Sequence, residues 1–384
     1  MSSRFLLLVA AQCGRFVIAF LLCLAGCSSH RQLPNLDEVD RAIARGVQFL
    51  VQSQRPDGSW GDPTETRGFE VYSMVPGTHD GMRVATTSLC VMALREAGEK
   101  EAHARGLEHL LNKYQAKRDT GDLIYNIWAQ IYCTQATVEE MRTNPDPRLA
   151  GVARWQIDYL KRYETHIGGW NYYDFVAQTE TPSMGPVSFG TAAALIALRE
   201  AKESGLELPP KMAEMALRRL AECRFPNGAY GYGRDYMLRP MQPANRVRGS
   251  VGRIQVCNDA LWLWDAGGIG RTQVIEGLEM FDREHIFLEI GRKRPIPHEA
   301  WYQTAGYYYY YDHYYAARLC QRLGWEEAQK HWPAVLGGIL PYQEPDGSWW
   351  DFAMWGYHKP YGTAYAVMSL LRYRNQLIEK EKPR

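Results

Sequence analysis

Apolar positions along the chain follow two alternating helical patterns. In the first pattern, apolar residues recur every three or four positions on one side only, in residues 41–54, 153–164, 211–223 and 335–343. In the second pattern they cover most sides, in residues 83–98, 187–205, 256–268 and 363–376. Alternation with a period of two, which would indicate strands, is nearly absent. The chain is therefore predicted to be all-α, with a one-sided outer helix before each buried inner helix.

A short turn sequence recurs between the two kinds of helix. Residues 54–60 read QRPDGSW and residues 343–349 read QEPDGSW, with related turns at 165–175 and 223–233. We take Gly58, Gly169, Gly228 and Gly347 as the turn glycines. They are separated by 111, 59 and 119 residues, close to one or two periods of roughly 58. This spacing predicts six helix-pair units, of which two have degenerate turns near 118–126 and 283–293.

The best-preserved turns lie in the first and last units. An open solenoid would carry polar caps on those units, so we expect the chain to close into a ring of about twelve helices. Trp60 and Trp349 are expected to cover the hydrophobic seam between outer helices. Gln54 and Gln343 are expected to bind backbone groups of the neighbouring unit.

The chain resembles the repeats of the squalene cyclase and protein prenyltransferase β-subunit superfamily. The resemblance lies in these turns and in the helices ATTSLCVMAL at 85–94 and GTAYAVMSLL at 362–371. The resemblance covers roughly 38–380. It implies an (α/α)6 toroid of six helix-pair repeats, with a cavity at its mouth. It does not imply one activity, because many chemistries share this fold.

The catalytic signatures of these families are mostly missing. The acidic DxDD run of the cyclases is absent. The prenyltransferases hold zinc with a D-x-C pair and a later His, and here Cys257 and Asp259 occur in the reverse order, with His313 later. The resemblance thus leaves a zinc site at these three residues open. Asp259, Asp312 and His313 are the candidate catalytic groups for acid–base chemistry.

Residues 1–27 have the form of a signal peptide. An apolar run at 16–26 ends in LAGC, which resembles a bacterial lipobox, so Cys27 would be lipidated and become the new N-terminus. Residues 28–36 would form a tether and 37–380 the toroid domain. We expect a lipid-anchored protein of the cell envelope, in the outer membrane or at the periplasmic face of a Gram-negative cell. An ordinary signal peptide or an uncleaved anchor is the alternative.

Charge and aromatic residues suggest where a ligand would bind. The formal net charge is only +1, which gives no argument for nucleic acid as a partner. Basic residues are nevertheless concentrated in the loop of residues 234–253, which contains Arg234, Arg239, Arg246, Arg248 and Arg253. Inner-helix N-termini should meet at the same face, so an anionic ligand is expected there. The aromatic candidates for stacking on a sugar or lipid are Trp170, Tyr172, Tyr310 and Trp355.

Two functions remain open from the sequence, with a zinc-dependent prenyltransferase-like enzyme as a weaker alternative. The first is a non-catalytic lipoprotein that binds a glycan or lipid in its central cavity. The second is a polysaccharide lyase or hydrolase that acts on an acidic glycan, with the arginines neutralising carboxylates. Five cysteines besides Cys27 follow the signal peptide, and their apolar surroundings indicate small buried side chains rather than a metal site.

Overall fold

A computed structural model describes residues 33–67, 77–117, 126–172 and 185–382. Cys27 and the rest of the segment at 1–32 lie outside these ranges, so the lipobox and the boundaries of the signal peptide and tether stay predictions. The described residues form helices and connecting turns, without an extended strand. None of their helices combines the length and the apolar character needed to cross a bilayer.

Fourteen α-helices occur in the described residues. The outer helices are α1 (Leu36–Ser53), α3 (Glu101–Lys113), α5 (Pro147–Tyr163), α7 (Met212–Glu222), α9 (Arg271–Glu284) and α13 (Trp332–Gly337). The inner helices are α2 (Thr78–Ala97), α4 (Asn126–Glu140), α6 (Ser188–Glu203), α8 (Val247–Leu263), α11 (Tyr309–Leu323) and α14 (His358–Glu381). Two short helices, α10 (Ile286–Gly291) and α12 (Trp325–Ala328), extend the fifth and sixth units.

The inner helices close into a ring. Each one packs against the next along the chain, and α14 packs against both α11 and α2. The outer helices lie outside this ring, with α1 of the first unit packed on α14 of the last. The predicted closed array of six helix pairs is therefore confirmed.

Burial explains the two sequence patterns. Helix α1 buries only one stripe, which includes Val39, Ile43 and Leu50, and its N-cap Asn35 accepts a hydrogen bond from the Glu38 amide at 2.9 Å. Helix α6 instead buries every residue from 188 to 198, because it is surrounded on all sides. All five cysteines of the described residues are buried and free, as their apolar surroundings predicted.

The recurrent turn forms the seam between units. The Trp349 indole packs so closely on Gly46 of α1 that an added Cβ would lie 2.7 Å from the ring, and its Nε1–H donates to the Ile339 carbonyl at 2.8 Å. Gln343 donates to the Ala42 carbonyl of α1 at 3.0 Å. The last turn thus binds the first helix, which explains why the motif recurs near both ends.

The first turn repeats these contacts one unit later. Trp60 packs on Gly106 of α3 and donates to the Leu50 carbonyl at 2.7 Å, while Gln54 donates to the Ala102 carbonyl at 2.8 Å. The expected roles of the turn tryptophans and glutamines are confirmed.

The turn glycine of the third unit is Gly168 rather than the expected Gly169. In the third unit the Gly168 amide donates to the Thr165 carbonyl, as Gly58 donates to Arg55 in the first turn. Gly168 has a φ of +95°, so it occupies the left-handed position that the other turn glycines occupy. The sequence GG gave no means of choosing between Gly168 and Gly169.

Of the two turns expected to be degenerate, only the second lies within the described residues. The one expected at 118–126 lies almost entirely outside the described residues. The one expected near 283–293 is replaced by helix α10, which follows α9 after His285, and by a longer loop at 292–308. The sixth outer helix is short because Gly337, Gly338 and Pro341 end it before the turn.

Candidate functional site

A cavity opens at the N-terminal ends of the inner helices. Its volume is about 760 Å³, including the solvent at its mouth. The described lining consists of Met82, Ala85, Thr86, Leu89, Trp128, Tyr132, Tyr172, Phe189, Tyr307, Tyr308, Tyr311, Met354, Tyr357, Tyr361 and Tyr365. Ten of these fifteen residues are aromatic and none carries a charge. The expected cavity at the helix N-termini is present, but its described surface is apolar rather than cationic.

Aromatic residues reach the cavity through helical spacing. Trp128 and Tyr132 are four residues apart on α4, and Tyr361 and Tyr365 are four apart on α14, so each pair lies on one face of its helix. The Trp128 ring stacks on Phe189 of α6, with ring centres 6.0 Å apart. The first turns of several inner helices therefore supply one continuous aromatic wall.

Most tyrosine hydroxyls of this wall bond to other protein groups, whereas the buried Tyr308 hydroxyl has no hydrogen-bond partner in the described residues. Tyr311 donates to the Phe189 carbonyl at 3.1 Å, and the Tyr365 hydroxyl donates to that of Tyr132. Tyr361 donates to the Asp351 carboxyl at 2.8 Å. Because these protons are already used, the wall presents mainly ring faces and few free donors.

Asp351 is the acidic group next to this wall. Its carboxyl is fully buried and accepts hydrogen bonds from the Tyr361 hydroxyl and from the Tyr310 amide at 3.0 Å. Burial raises the pKa of Asp351 to about 6, although both hydrogen bonds favour the ionised form. No sequence pattern singles out Asp351, and the only signal for it is its place directly after the turn motif.

The arginines of the 234–253 loop do not line the cavity. Arg234, Arg239 and Arg246 are exposed, and Arg234 pairs with Glu222 at 3.0 Å. Arg248 pairs with Glu284 at 3.2 Å on the outside of the ring. The loop does lie at the mouth end, since it precedes α8, but none of its arginines is part of the described cavity lining.

Arg253 is buried and structural. Its guanidinium donates to the carbonyls of Gly249, Tyr230 and Ala244 at 3.0, 3.0 and 2.6 Å. These bonds tie the loop to the start of α8. Three of its five N–H donors are used by backbone oxygens, while its buried Nε has no hydrogen-bond partner in the described residues, and a role in binding an anion stays a prediction.

Asp259 lies in the C-terminal part of inner helix α8 and is not part of the described cavity lining. Its carboxylate is fully buried and bonds Arg318 at 2.9 Å and Arg322 at 2.6 Å. Since it is the thirteenth residue of α8, its Cα lies about 18 Å along the helix from the mouth end. Asp259 is therefore not at the mouth as expected, and a catalytic role for it stays a prediction.

Asp312 and His313 point in different directions although they are adjacent. The His313 ring contacts the Tyr309 carbonyl at 2.6 Å and His285 at 2.9 Å, on the side of the outer helices. Burial, and then His285, lower the pKa of His313 well below its usual range. Asp312 is buried without a hydrogen-bond partner for its carboxyl oxygens, and burial raises its pKa well above the usual range. The two residues do not form an acid–base pair.

The open zinc site is not assembled. Cys257 and Asp259 face different sides of α8, and two arginines occupy the Asp259 carboxylate. Across the described ranges, no three His, Cys, Asp or Glu side chains are placed to hold a metal ion. Cys257, Asp259 and His313 therefore do not fit zinc as a shared ligand set.

The four aromatic candidates have different positions. Tyr172 lines the cavity. Trp170 is a turn residue that donates to the Leu160 carbonyl at 2.7 Å. Tyr310 is buried behind the wall, and Trp355 packs edge-on against His79 with ring centres 5.2 Å apart. The spacing of Trp128 with Tyr132, and of Tyr361 with Tyr365, was the signal for the remaining wall residues.

Solved structures with the same architecture were found by comparison. No family model matches the sequence. Cellobiose 2-epimerase from Spirochaeta thermophila DSM 6192 is similar over 91% of this chain and 100% of its own, with a TM-score of 0.58 and 12% identity. A possible member of the GH105 family from Salmonella enterica subsp. enterica serovar Paratyphi A str. ATCC 9150 is similar over 91% and 97%, with a TM-score of 0.56 and 13% identity.

A third neighbour is a variant of the type II terpene cyclase MstE from Scytonema. It is similar over 89% of this chain and 98% of its own, with a TM-score of 0.55 and 15% identity. The fold is an α/α toroid. Two of these neighbours are named as different enzymes, an epimerase and a terpene cyclase, so the likeness establishes only the architecture of this toroid.

Proposed function

We propose that this toroid binds a ligand with a long apolar body, such as an isoprenoid or acyl chain, in its aromatic cavity. The observation that carries the proposal is the described lining, which is two-thirds aromatic and without charge. Burial of apolar surface is the dominant favourable term for such a ligand, at about 25 cal/mol per Å². The apolar body would lie along the ring faces of Trp128, Tyr361 and Tyr365.

The occupied hydroxyls favour a lipid over a sugar. A glycan needs several free donors and acceptors along its length, because each of its hydroxyls loses water on binding. In this wall the hydroxyl protons of Tyr311, Tyr361 and Tyr365 are bonded within the protein. One toroid neighbour, the MstE variant, was solved with geranylgeranyl dihydroxybenzoate, an isoprenoid conjugate. We extend that ligand class to this chain as part of the proposal.

The proposed setting is the cell envelope. If Cys27 is lipidated as the sequence predicts, the toroid would be held beside a bilayer, where apolar ligands are concentrated. The role proposed is binding or carriage of the ligand.

A glycan-active toroid is the second candidate. Trp128 and Tyr172 are half-buried at the mouth, where their rings could stack on a sugar. A hydrolase also needs two carboxyl groups beside the scissile bond. The cavity lining that the structure describes contains none, with Asp351 held behind Tyr361. We therefore rank this candidate second.

The experiment is a binding titration of the full chain, followed by intrinsic fluorescence. Geranylgeraniol, an uncharged isoprenoid alcohol, is one probe, and cellobiose and polygalacturonate are the saccharide probes. We expect saturable binding of geranylgeraniol alone. Substitution Ala85→Phe adds a ring inside the cavity and should weaken that binding at least tenfold. Ala104→Phe adds the same ring on the exposed face of α3 and should leave it unchanged.

Two results would overturn the proposal. One is saccharide binding without isoprenoid binding, which would favour the second candidate. The other is geranylgeraniol affinity that is equal in the Ala85→Phe and Ala104→Phe variants, because the ligand would then lie outside the aromatic cavity.

A further inference from the structure

Large apolar side chains protrude from two loops near the cavity. Leu238 is 89% exposed and Met241 73% exposed on the loop of residues 234–248. Ile296 is 54% exposed and Trp301 73% exposed on the loop of residues 292–303. Four of the six large hydrophobic side chains that are exposed in the described residues thus belong to these loops. Exposed apolar residues concentrated in this way mark an interaction surface.

The two loops touch each other. The carbonyl oxygens of Pro243 and Tyr302 both press on Gly249, at 2.3 and 2.5 Å from the position that a Cβ would take. The loops therefore form one continuous surface, which we call the loop face and define as residues 234–248 and 292–303.

The loop face adjoins the mouth of the aromatic cavity. His298 packs against Tyr307 and Tyr308, which line the cavity, with ring centres 6.0 and 6.4 Å apart. On the other loop, Tyr236 packs on Tyr232, and the Tyr232 hydroxyl bonds that of Tyr172 in the cavity wall. A molecule held by the loop face would therefore lie beside the opening.

The apolar side chains are accompanied by unpaired positive charge. Arg239 and Arg246 are exposed, and neither has a carboxylate within 4.0 Å in the described part of the chain. The side chain of Arg294 is exposed and bonds only the Ile290 carbonyl, at 3.2 Å. The acidic residues of the loop face are Asp235 and Glu299. The loop face is thus net positive, whereas the whole chain is nearly neutral.

The second loop is held in a strained but well-bonded conformation. Lys293, His298, Tyr302 and Gln303 all have positive φ values, between 60° and 63°. The His298 ring contacts the Gln303 carbonyl at 2.6 Å and the Tyr307 hydroxyl at 3.0 Å. Such strain persists only where surrounding contacts impose it, so the protrusion of the apolar side chains is a fixed feature of the fold.

We propose that the loop face binds the surface of a bilayer that contains anionic lipids. Trp301 and the aliphatic side chains would enter the interface, where amphipathic and aromatic groups are stabilised. Arg239, Arg246 and Arg294 would pair with lipid phosphates. An acidic protein would satisfy the arginines but would need a matching groove for each protruding side chain, whereas a bilayer accepts them without one. Docking in this way places the mouth of the cavity against the lipid.

The test is hydrogen–deuterium exchange of the full chain, resolved by mass spectrometry. The protein is mixed with vesicles of phosphatidylcholine alone or with an equal mixture of phosphatidylcholine and phosphatidylglycerol. We expect amides at 234–248 and 292–303 to gain protection with the mixed vesicles only, and to lose it in high salt. The readout is local, so attachment through the N-terminal segment does not produce it.

Matched variants identify the groups responsible. Arg239→Glu with Arg246→Glu should raise the lipid concentration for half-maximal protection on the order of thirtyfold, since each arginine near an anionic surface contributes about fivefold. Arg142→Glu with Arg154→Glu makes the same charge change at exposed arginines elsewhere and should have no effect. Leu238→Ser with Trp301→Ser should reduce protection while the fold persists, which exchange in the inner helices reports.

Several outcomes would reject the proposal. Protection absent from the loop face, equal with neutral vesicles, or equal in both charge-reversal variants would each do so. Failure here is separate from failure of the proposed ligand, because the titration with geranylgeraniol uses no vesicles. The Ala85→Phe variant should still show loop protection even though its cavity is filled.

Discussion

The two ends of the inner ring are made of the same six helices but have opposite chemistry. The N-terminal ends carry the aromatic cavity. Near the C-terminal ends every inner helix contributes charge, from Arg95, Glu96, Glu139, Glu140, Glu200, Asp259, Arg318, Arg322 and Arg372. We call this second group the charged floor. The aromatic end presents ring faces on which a ligand could lie. At the charged floor, the polar groups bond to one another.

The charged floor consists of separate groups of ion pairs, each of which joins two or more inner helices. Arg318 bonds Glu200 at 3.1 Å and Asp259 at 2.9 Å, which links α11 to α6 and α8. Arg372 bonds Glu96 at 3.0 Å, which links α14 to α2 across the point of closure. A buried charge is tolerated only with such partners, so the floor specifies how the helices meet. The polar groups of the charged floor thus serve contacts between helices, while the proposed ligand surface lies at the other end.

The largest expected effect is loss of a floor arginine. Arg318→Met leaves Asp259 and Glu200 buried without their main partner, and should lower the free energy of unfolding by about 3–5 kcal/mol. Arg218→Met removes an exposed pair with Glu214 on α7 and should change stability little. Urea unfolding followed by circular dichroism measures both. Equal stability of the two variants would show that the floor does not hold the ring.

A second expected effect is pH dependence from the floor. Burial, and then Glu200, raise the pKa of Glu139 to about 7, against the effect of Arg95. A carboxyl group whose pKa is raised in the folded state contributes stability at pH values below its unfolded pKa, near 4.5. That contribution is lost as the pH rises through the folded pKa of about 7. Glu139→Gln should therefore remove a decline of about 3 kcal/mol in unfolding free energy over this window.

The measurement for Glu139→Gln is a series of urea titrations from pH 4.5 to 8. Arg95, Glu96 and Arg372 also face this group and remain in both proteins. Parallel stability curves for the variant and the wild type would refute the assignment.

A third effect compares two buried aspartates. Asp312 lacks the partners that Asp259 has, so Asp312→Leu should raise the free energy of unfolding by about 1–2 kcal/mol. Because burial raises the pKa of Asp312, the folded state keeps a proton that the unfolded state releases. The gain should therefore grow as pH rises from 5 to 8. Thermal or urea unfolding at both pH values measures it, and a loss of stability would mean that Asp312 has a stabilising partner.

The smallest expected effect is at the aromatic end. Tyr365→Phe removes the hydroxyl bonded to Tyr132 and should cost about 1 kcal/mol in unfolding free energy. The ring remains in the wall, so geranylgeraniol affinity should stay within about twofold. The same fluorescence titration measures it. A large loss of affinity would mean that the ligand bonds this hydroxyl, contrary to an apolar mode of binding.

The ring could be predicted from the sequence because its causes are local and repeated. The turn motif, the one-sided outer helices and the buried inner helices each recur along the chain, and closure followed from the match between the first and last turns. The contacts of Trp349 with Gly46 and of Gln343 with Ala42 are the physical basis of that match.

The candidate site was harder to predict than the fold. The role of a residue there depends on how far along its helix it lies and on which way its side chain points. Asp259 and Cys257 are neighbours in sequence, but Asp259 belongs to the charged floor. Tyr310 and Tyr311 are adjacent, but only Tyr311 lines the cavity. The basic loop was placed correctly at the mouth end, while the direction of its side chains is set by contacts such as Arg248 with Glu284 that no local pattern records.

The most direct test of the account is to map where an apolar ligand lies. A geranylgeraniol analogue that carries a diazirine is photolysed with the full chain, and the labelled peptides are identified by mass spectrometry. We predict labels at the N-terminal halves of the inner helices, around Trp128, Tyr311 and Tyr361. Labels concentrated around Arg318 and Arg372 at the charged floor, or on the outer helices, would contradict the proposal that the ligand lies at the aromatic end.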